Sequence, residues 1–270
     1  MIIVILLALL VTACLFLIAP RMTNKPDDSA LRGVYYAHRG LHDNKSDAPE
    51  NSLAAVRNAV AHGYGIEFDV QLTRDRIPVV FHDETLKRMC GAEGNVRDYT
   101  YEELQAFPLL ASDERIPLLA DVLKAVDGKV PLIIEIKIHE NADEVCARAD
   151  ALISAYKGAY CIESFDPRAV AWYKKNRPQV IRGQLSSDFN TAKHRELFSE
   201  TLVHHLLTNV IARPDFIAYN HNNKGNFSRV LCRKLFGALS VAWTIRSQQQ
   251  LDAAKNDFDL FIFEQFIPRD

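Results

Sequence analysis

The strongest constraint on the fold is an alternation. Short apolar runs of strand length and amphipathic segments of helical period succeed one another over about 240 residues, with no internal repeat or low-complexity tract between them. Strand patterns fall at 34–37, 65–72, 78–81, 131–138, 160–163, 180–184, 216–219, 239–244 and 260–263. Helical spacing of apolar residues marks 52–61, 118–126, 142–156, 167–176, 226–236 and 248–255. A chain built this way buries its strands between helices, and its length favours a (β/α)8 barrel of the TIM type, for which ~250 residues are typical, over an open doubly wound sheet. One connection departs from the ideal. Residues 73–77 are too few to carry a parallel crossover, so the segments on either side of them are expected to form an antiparallel hairpin or a short distorted strand. Residues 84–115, with Gly91, Gly94 and Pro108, are the longest break in the alternation and are read as an insertion over the mouth of the barrel.

The remainder of the chain divides simply. Residues 1–20 contain no charged side chain before Arg21 and are dominated by Ile, Leu and Val, which predicts an N-terminal transmembrane anchor. A cleaved signal peptide fits less well, because no basic segment precedes the apolar run. Residues 21–32 form a polar linker, and 33–270 the barrel. Arg21, Lys25 and Arg32 follow the apolar segment, which by the positive-inside rule orients the barrel toward the cytoplasm. With 32 Lys and Arg against 34 Asp and Glu, and no long basic run, nothing points to a nucleic acid partner. Five cysteines without a C-x-x-C pair suggest neither a disulfide framework nor a thiolate metal site. Oligomeric state has no signature in the sequence.

Charged residues cluster where the apolar runs end. Side chains on a strand alternate faces, so Glu67 and Asp69 share one face, as do Glu135 and Lys137. Carboxylates interrupting apolar strands are costly unless partnered. Three of them converging form an oxygen-rich cage suited to a hard divalent cation, with Glu67, Asp69 and Glu135 as its metal ligands. His38 and His82 each end an apolar strand, the position that in such a barrel lines the catalytic rim, and imidazole titrates in the range useful for general acid and base catalysis. Arg39 and Lys137 offer a planar fork and a point charge to phosphate oxygens. Phe165 and Trp243 stand at the ends of later strands and are assigned to the substrate wall.

The order His38-Arg39-Gly40, Pro49-Glu50-Asn51, Glu67-x-Asp69-Val70, Thr73-x-Asp75, Val79-Val80-x-His82-Asp83 and Glu135-x-Lys137 resembles the glycerophosphodiester phosphodiesterase family, and Ser164-Phe165-Asp166 and Trp243-Thr244 are similar to its later signatures. The resemblance runs from about Tyr35 to the C-terminus. It implies a phospholipase C-like barrel, one divalent cation, Mg²⁺ or Ca²⁺, and cleavage of glycerophosphodiesters to glycerol 3-phosphate and an alcohol. It implies further that His38 is the base and His82 the acid, that the glycerol 2-hydroxyl attacks phosphorus, and that Glu50 orients Arg39 or His38. Asn51 is expected to cap the helix that follows it. The chain departs from the family pattern at Asp75-Arg76, where Asp-Gly is common, and at Phe263-Glu264, where many relatives carry Asp.

The substrate is thus expected to be a glycerophosphodiester or a lysophospholipid. A lysophospholipase D or sphingomyelinase D type of activity shares the barrel and paired histidines and is the enzymatic alternative. A phosphate-binding module without turnover is the non-enzymatic one, and it would be expected to lack one of the two histidines; both are present.

Overall fold

Nine strands carry the fold in the computed structural model, which describes residues 1–139, 141–188 and 198–269. They are Tyr36–His38 (β1), Gly65–Leu72 (β2), Pro78–Val80 (β3), Leu132–Ile136 (β4), Tyr160–Ser164 (β5), Arg182–Ser186 (β6), Phe216–Asn220 (β7), Leu239–Ile245 (β8) and Leu260–Phe263 (β9). All except β3 run parallel, and β1 pairs with both β2 and β9, which closes an eight-stranded parallel barrel of the TIM type. β3 turns back antiparallel along β2, Val80 opposite Val70, as the short connection at 73–77 requires.

Between the strands lie Leu53–Ala61 (α2), Leu119–Val126 (α5), Ala142–Ile153 (α6), Pro167–Asn176 (α7), Phe198–His204 (α8), Asn209–Ala212 (α9), Phe227–Lys234 (α10) and Gln248–Ala254 (α11). Lys87–Cys90 (α3) and Tyr101–Leu104 (α4) belong to the segment after β3. Most helices begin where the sequence supplies a polar cap. The side chains of Ser52, Asn141, Asp166, Asn226 and Ser247 each accept a backbone N–H of the first turn.

Period-two alternation divides the core into two apolar layers. Leu132, Ile134 and Ile136 face the helices, while Ile133 joins Tyr36, Cys161, Phe216, Ala218 and Val241 inside the barrel. Gly183 is what admits the Phe216 ring. A Cβ at that glycine would lie 2.0 Å from Phe216 Cε2. The segment after β3 packs a small cluster of its own, from Leu86, Met89, Val96, Leu104, Leu109 and Ile116 against Val79 and Phe81.

The N-terminal segment corrects an expectation. Residues Ile2–Ile18 form a helix (α1) of 17 residues, but among the described residues no helix is long and apolar enough to cross a membrane. At ~1.5 Å per residue this helix covers about 25 Å, less than the ~30 Å of a hydrocarbon core. Its last turn is also committed to the barrel. Ile18 is buried, Asn209 Nδ2 donates to the Ile18 carbonyl (2.7 Å), and Arg213 Nη1 donates to those of Phe16 (2.8 Å) and Ala19 (2.7 Å). Hydropathy counted these residues as free apolar length.

Candidate active site

The barrel interior changes character along its axis. Apolar side chains fill it from below, and further along β1, β2, β4 and β5 the inward positions become titratable. His38 pairs in register with Glu67, Asp69 with Glu135, and Glu135 with Glu163. These positions lie toward the carboxyl ends of parallel strands, where barrels of this type carry their active sites. Tyr36 and His38, Glu67 and Asp69, and Ile133 and Glu135 follow each other at period two, so the alternation that builds the core also points the acids inward.

Glu67, Asp69 and Glu135 converge. One ligand oxygen from each lies within 4.8 Å of the others, all three are buried, and among the described residues they are the one such group able to hold a metal ion. Glu163 is a fourth acid beside them, 1% exposed, with Oε2 lacking a hydrogen-bond partner. The cations that face this group are Lys137 and Arg39. Lys137 Nζ is 2.8 Å from Glu135 Oε2 and 3.0 Å from Asp69 Oδ1, and Arg39 Nε is 3.5 Å from Asp69 Oδ2.

Two cations for four buried acids leave negative charge uncompensated, and the acids respond unequally. Burial raises Glu67 well above the usual carboxylate range, with Asp69, Glu163 and Glu135 adding repulsion. Burial and the neighbouring Glu135 likewise push Glu163 up. Burial acts on Asp69 too, but Lys137, His82 and Arg39 outweigh it and hold that carboxyl well below its ordinary value. A hard divalent cation bound by these oxygens would supply the missing charge, so the donor set fits such an ion.

His38 is clamped from one side. Its Nδ1 meets Glu264 Oε2 at 2.6 Å, and Nε2 faces Glu67 Oε2 at 3.8 Å. Arg246 Nε donates to the other oxygen of Glu264 at 2.7 Å. Burial pushes the imidazole down to about 4, against the opposing pull of Glu264, which keeps the ring neutral near pH 7. The chain then turns sharply. Arg39 has φ +56° and Gly40 φ +82°, and a Cβ on Gly40 would come within 2.8 Å of the Ala55 carbonyl carbon, so only glycine fits the end of this motif. The turn sends Arg39 N–H to Glu67 Oε2 (3.2 Å) and Arg39 Nη1 to Glu50 Oε1 (2.5 Å).

His82 reaches the same rim by the reversed strand. Phe81 N–H donates to the Asp69 carbonyl (3.0 Å), and Gln71 Nε2 donates to the carbonyls of Phe81 (2.8 Å) and Asp83 (2.9 Å). This holds His82 beside the acids closely enough for its charge to favour ionised Asp69 and Glu135. Asp83 Oδ1 contacts His82 Nδ1 at 2.6 Å. The two histidines therefore share one construction: Nδ1 on a carboxylate, Nε2 left for chemistry.

Phe165 and Trp243 meet edge to face, ring centroids 5.5 Å apart, at the top of the interior apolar layer. Trp243 Nε1 is buried without a hydrogen-bond partner.

Three contributors escaped sequence reasoning in the role they take. Asn51 is not the helix cap. Ser52 is, its Oγ accepting Ala55 N–H at 3.0 Å, and Asn51, with φ +60°, instead donates Nδ2 to Asp69 Oδ2 at 2.9 Å. Glu163 follows the same inward period as Cys161 and was legible from it. Glu264 directly follows the last strand, as the strand-end rule applied to His38 and His82 would have shown.

Converging carboxylates, two carboxylate-held histidines and two cations at the carboxyl rim of a closed parallel barrel equip this site to hold a divalent cation and to move protons beside it. The comparisons narrow it to a family. The profile of the glycerophosphoryl diester phosphodiesterase family matches residues 38–259, and the chain belongs to that family. A glycerophosphodiester phosphodiesterase of Caldanaerobacter subterraneus is 43% identical over 167 residues, 57% of this chain and 67% of the relative. Glycerophosphodiester phosphodiesterase 1 of Bos taurus is 34% identical over 220 residues, 76% of this chain and 56% of the relative. The chain spans about half to two thirds of the length of the curated relatives it matches. In fold it is similar to an Oleispira antarctica phosphodiesterase solved with its product sn-glycerol-3-phosphate, with TM-score 0.69, 24% identity, and coverage of 86% of this chain and 93% of that one.

Proposed function

We propose that the chain hydrolyses glycerophosphodiesters to glycerol 3-phosphate and an alcohol, using a divalent cation, Mg²⁺ or Ca²⁺, held by Glu67, Asp69 and Glu135. The observation that carries this reading is the pairing of His38 and His82, each with Nδ1 on a carboxylate, around one group of buried acids. When bound, the cation polarises a phosphate oxygen and offsets charge that grows during attack.

The chain's own residues supply the rest. Neutral His38, its Nδ1–H donated to Glu264, has an unprotonated Nε2 to take the proton of the attacking hydroxyl, either that of water, which gives glycerol 3-phosphate directly, or the glycerol 2-hydroxyl, which gives a cyclic phosphate that water then opens to glycerol 3-phosphate. His82, one third exposed at its side chain, protonates the departing alkoxide and recovers its proton from solvent. Arg39 offers a buried Nε that makes no hydrogen bond and lies 3.5 Å from Asp69 Oδ2, and Lys137 an ammonium among the acids; both offset the repulsion that a phosphate oxygen would meet from the carboxylates. Glu50 and Asn51 act through Arg39 and Asp69 respectively. Phe165 and Trp243 form the apolar wall against the glycerol carbons.

The test is product analysis. The full chain is incubated with glycerophosphocholine, glycerophosphoethanolamine and lysophosphatidylcholine in Mg²⁺ or Ca²⁺. Glycerol 3-phosphate and free head-group alcohol are expected from the first two. Phosphocholine with free glycerol, or no turnover of either, contradicts the reading.

A further inference from the structure

Arg88, on α3 in the segment that follows His82-Asp83, has no place in the reaction described so far, yet it sits between two of its parts. Its Nε and Nη2 donate to the two oxygens of Asp83 at 2.6 and 2.9 Å. Its Nη1 and Nη2 donate to the two oxygens of Glu50 at 2.8 and 2.7 Å. One planar guanidinium therefore forks onto two carboxylates at once. Asp83 is the acid that holds His82 Nδ1, and Glu50 is the acid that holds Arg39 Nη1. Asn44 Nδ2 completes the coordination of Glu50 at 2.8 Å.

From this chain of contacts we infer that Arg88 is a positioning residue, which sets the ring of His82 through Asp83 and the fork of Arg39 through Glu50. The inference rests on the roles proposed above for His82 and Arg39. A carboxylate alone can rotate and present either oxygen to an imidazole, whereas one gripped at both oxygens by a planar fork cannot. Asp83 is thereby fixed in the plane that hydrogen-bonds His82 Nδ1–H, which leaves Nε2 as the proton donor on the substrate side. The same guanidinium keeps Glu50 from swinging away from Arg39. Arg88 also belongs to the apolar segment around Leu86 and Met89, so the packing of that segment against Val79 and Phe81 is what delivers the fork. A lysine could neutralise either acid but could not grip both in one plane.

The leaving group separates positioning of a proton donor from mere structural support. Departure of the choline alkoxide needs a proton from His82; departure of p-nitrophenolate does not. We would measure kcat and KM of the wild-type chain, Arg88→Lys and Arg88→Ala on glycerophosphocholine and on the p-nitrophenyl ester of glycerol 3-phosphate, with melting temperatures alongside. Arg88→Lys should lose about a hundredfold in kcat on glycerophosphocholine, the scale of general acid catalysis, and about tenfold less than that on the p-nitrophenyl ester. KM should rise on both substrates as Arg39 loosens. If Arg88→Ala does not fold, Arg88→Lys and Asp83→Asn, which cuts only the His82 arm, carry the comparison. Equal losses on the two substrates in Arg88→Lys, or none, would overturn the inference while leaving the proposed function standing. Absence of wild-type turnover on both substrates would overturn the proposed function and this inference with it.

Discussion

His38 Nδ1 lies 2.6 Å from Glu264 Oε2 while its Nε2 faces Glu67 Oε2 at 3.8 Å, so a residue just past the last strand and one on the second strand address opposite edges of a single imidazole. A carboxylate on Nδ1 selects the tautomer in which Nε2 is the free base. Replacing Glu264 by Gln keeps the volume but lets an amide N–H face Nδ1, which favours the inverted tautomer. We expect Glu264→Gln to lower kcat on glycerophosphocholine by about 10² or more with little change in bound metal. Steady-state kinetics with metal analysis of the same preparation checks both parts.

The acids proposed to hold the cation are predicted to differ in what they contribute to the metal-free fold. Asp69 is held ionised by Lys137 and Arg39, whereas burial favours protonated Glu67. In EDTA, Glu67→Gln should therefore change stability by less than about 1 kcal/mol, because the amide mimics the neutral acid and still accepts from Arg39 N–H. Asp69→Asn should cost about 3 kcal/mol, since it strips two buried cations of a partner. Urea unfolding of both variants in EDTA measures the difference, and both should lose divalent-ion binding.

Stability should fall in acid along a path that Glu50 helps to set. Burial alone would raise this carboxyl, but Arg88, Arg39 and Asn44 hold it down to about 2. A folded value below the unfolded one of about 4.5 means that the stabilisation is complete above pH ~4.5 and is lost as pH falls toward 2; a shift of this size corresponds to about 3 kcal/mol. Denaturant melts at pH 7, 5 and 3 should show the loss in the wild-type chain, and Glu50→Gln should be less stable at pH 7 and flatter between pH 5 and 3.

Gly183 is a packing requirement of the barrel floor. With a Cβ 2.0 Å from Phe216 Cε2, Gly183→Ala forces the ring or the strand to shift. A destabilisation of about 2 kcal/mol is expected. Pairing it with Phe216→Leu should recover part of that loss, which thermal melts of the single and double variants would detect.

Much of the site was legible because the rules that expose it are local. Period two in Glu67-x-Asp69 and Glu135-x-Lys137 places both pairs inward, and the shortness of the 73–77 connection forces the β2–β3 hairpin. What was not legible is pairing across the barrel. The His38–Glu264 contact joins residues 226 apart in sequence, and no local pattern reports it. Glu264 thus occupies the last rim position through a contact that only ring closure creates. The local rule of helix capping points to Asn51, but Ser52 satisfies it instead. Hydropathy alone gives the apolar N-terminal run spanning length, because it cannot see that the last carbonyls are taken by Asn209 and Arg213.

In the proposed mechanism Glu67, Asp69 and Glu135 hold a cation that His38 works beside. This is tested most directly by following glycerophosphocholine hydrolysis by phosphorus NMR in the full chain, Glu67→Ala and His38→Ala, each before EDTA, after EDTA and after readdition of Mg²⁺ or Ca²⁺. The wild-type chain should form glycerol 3-phosphate, stop in EDTA and resume on readdition, while both variants stay folded and inactive throughout. Full activity in either variant, or wild-type hydrolysis that EDTA leaves untouched, would contradict the account.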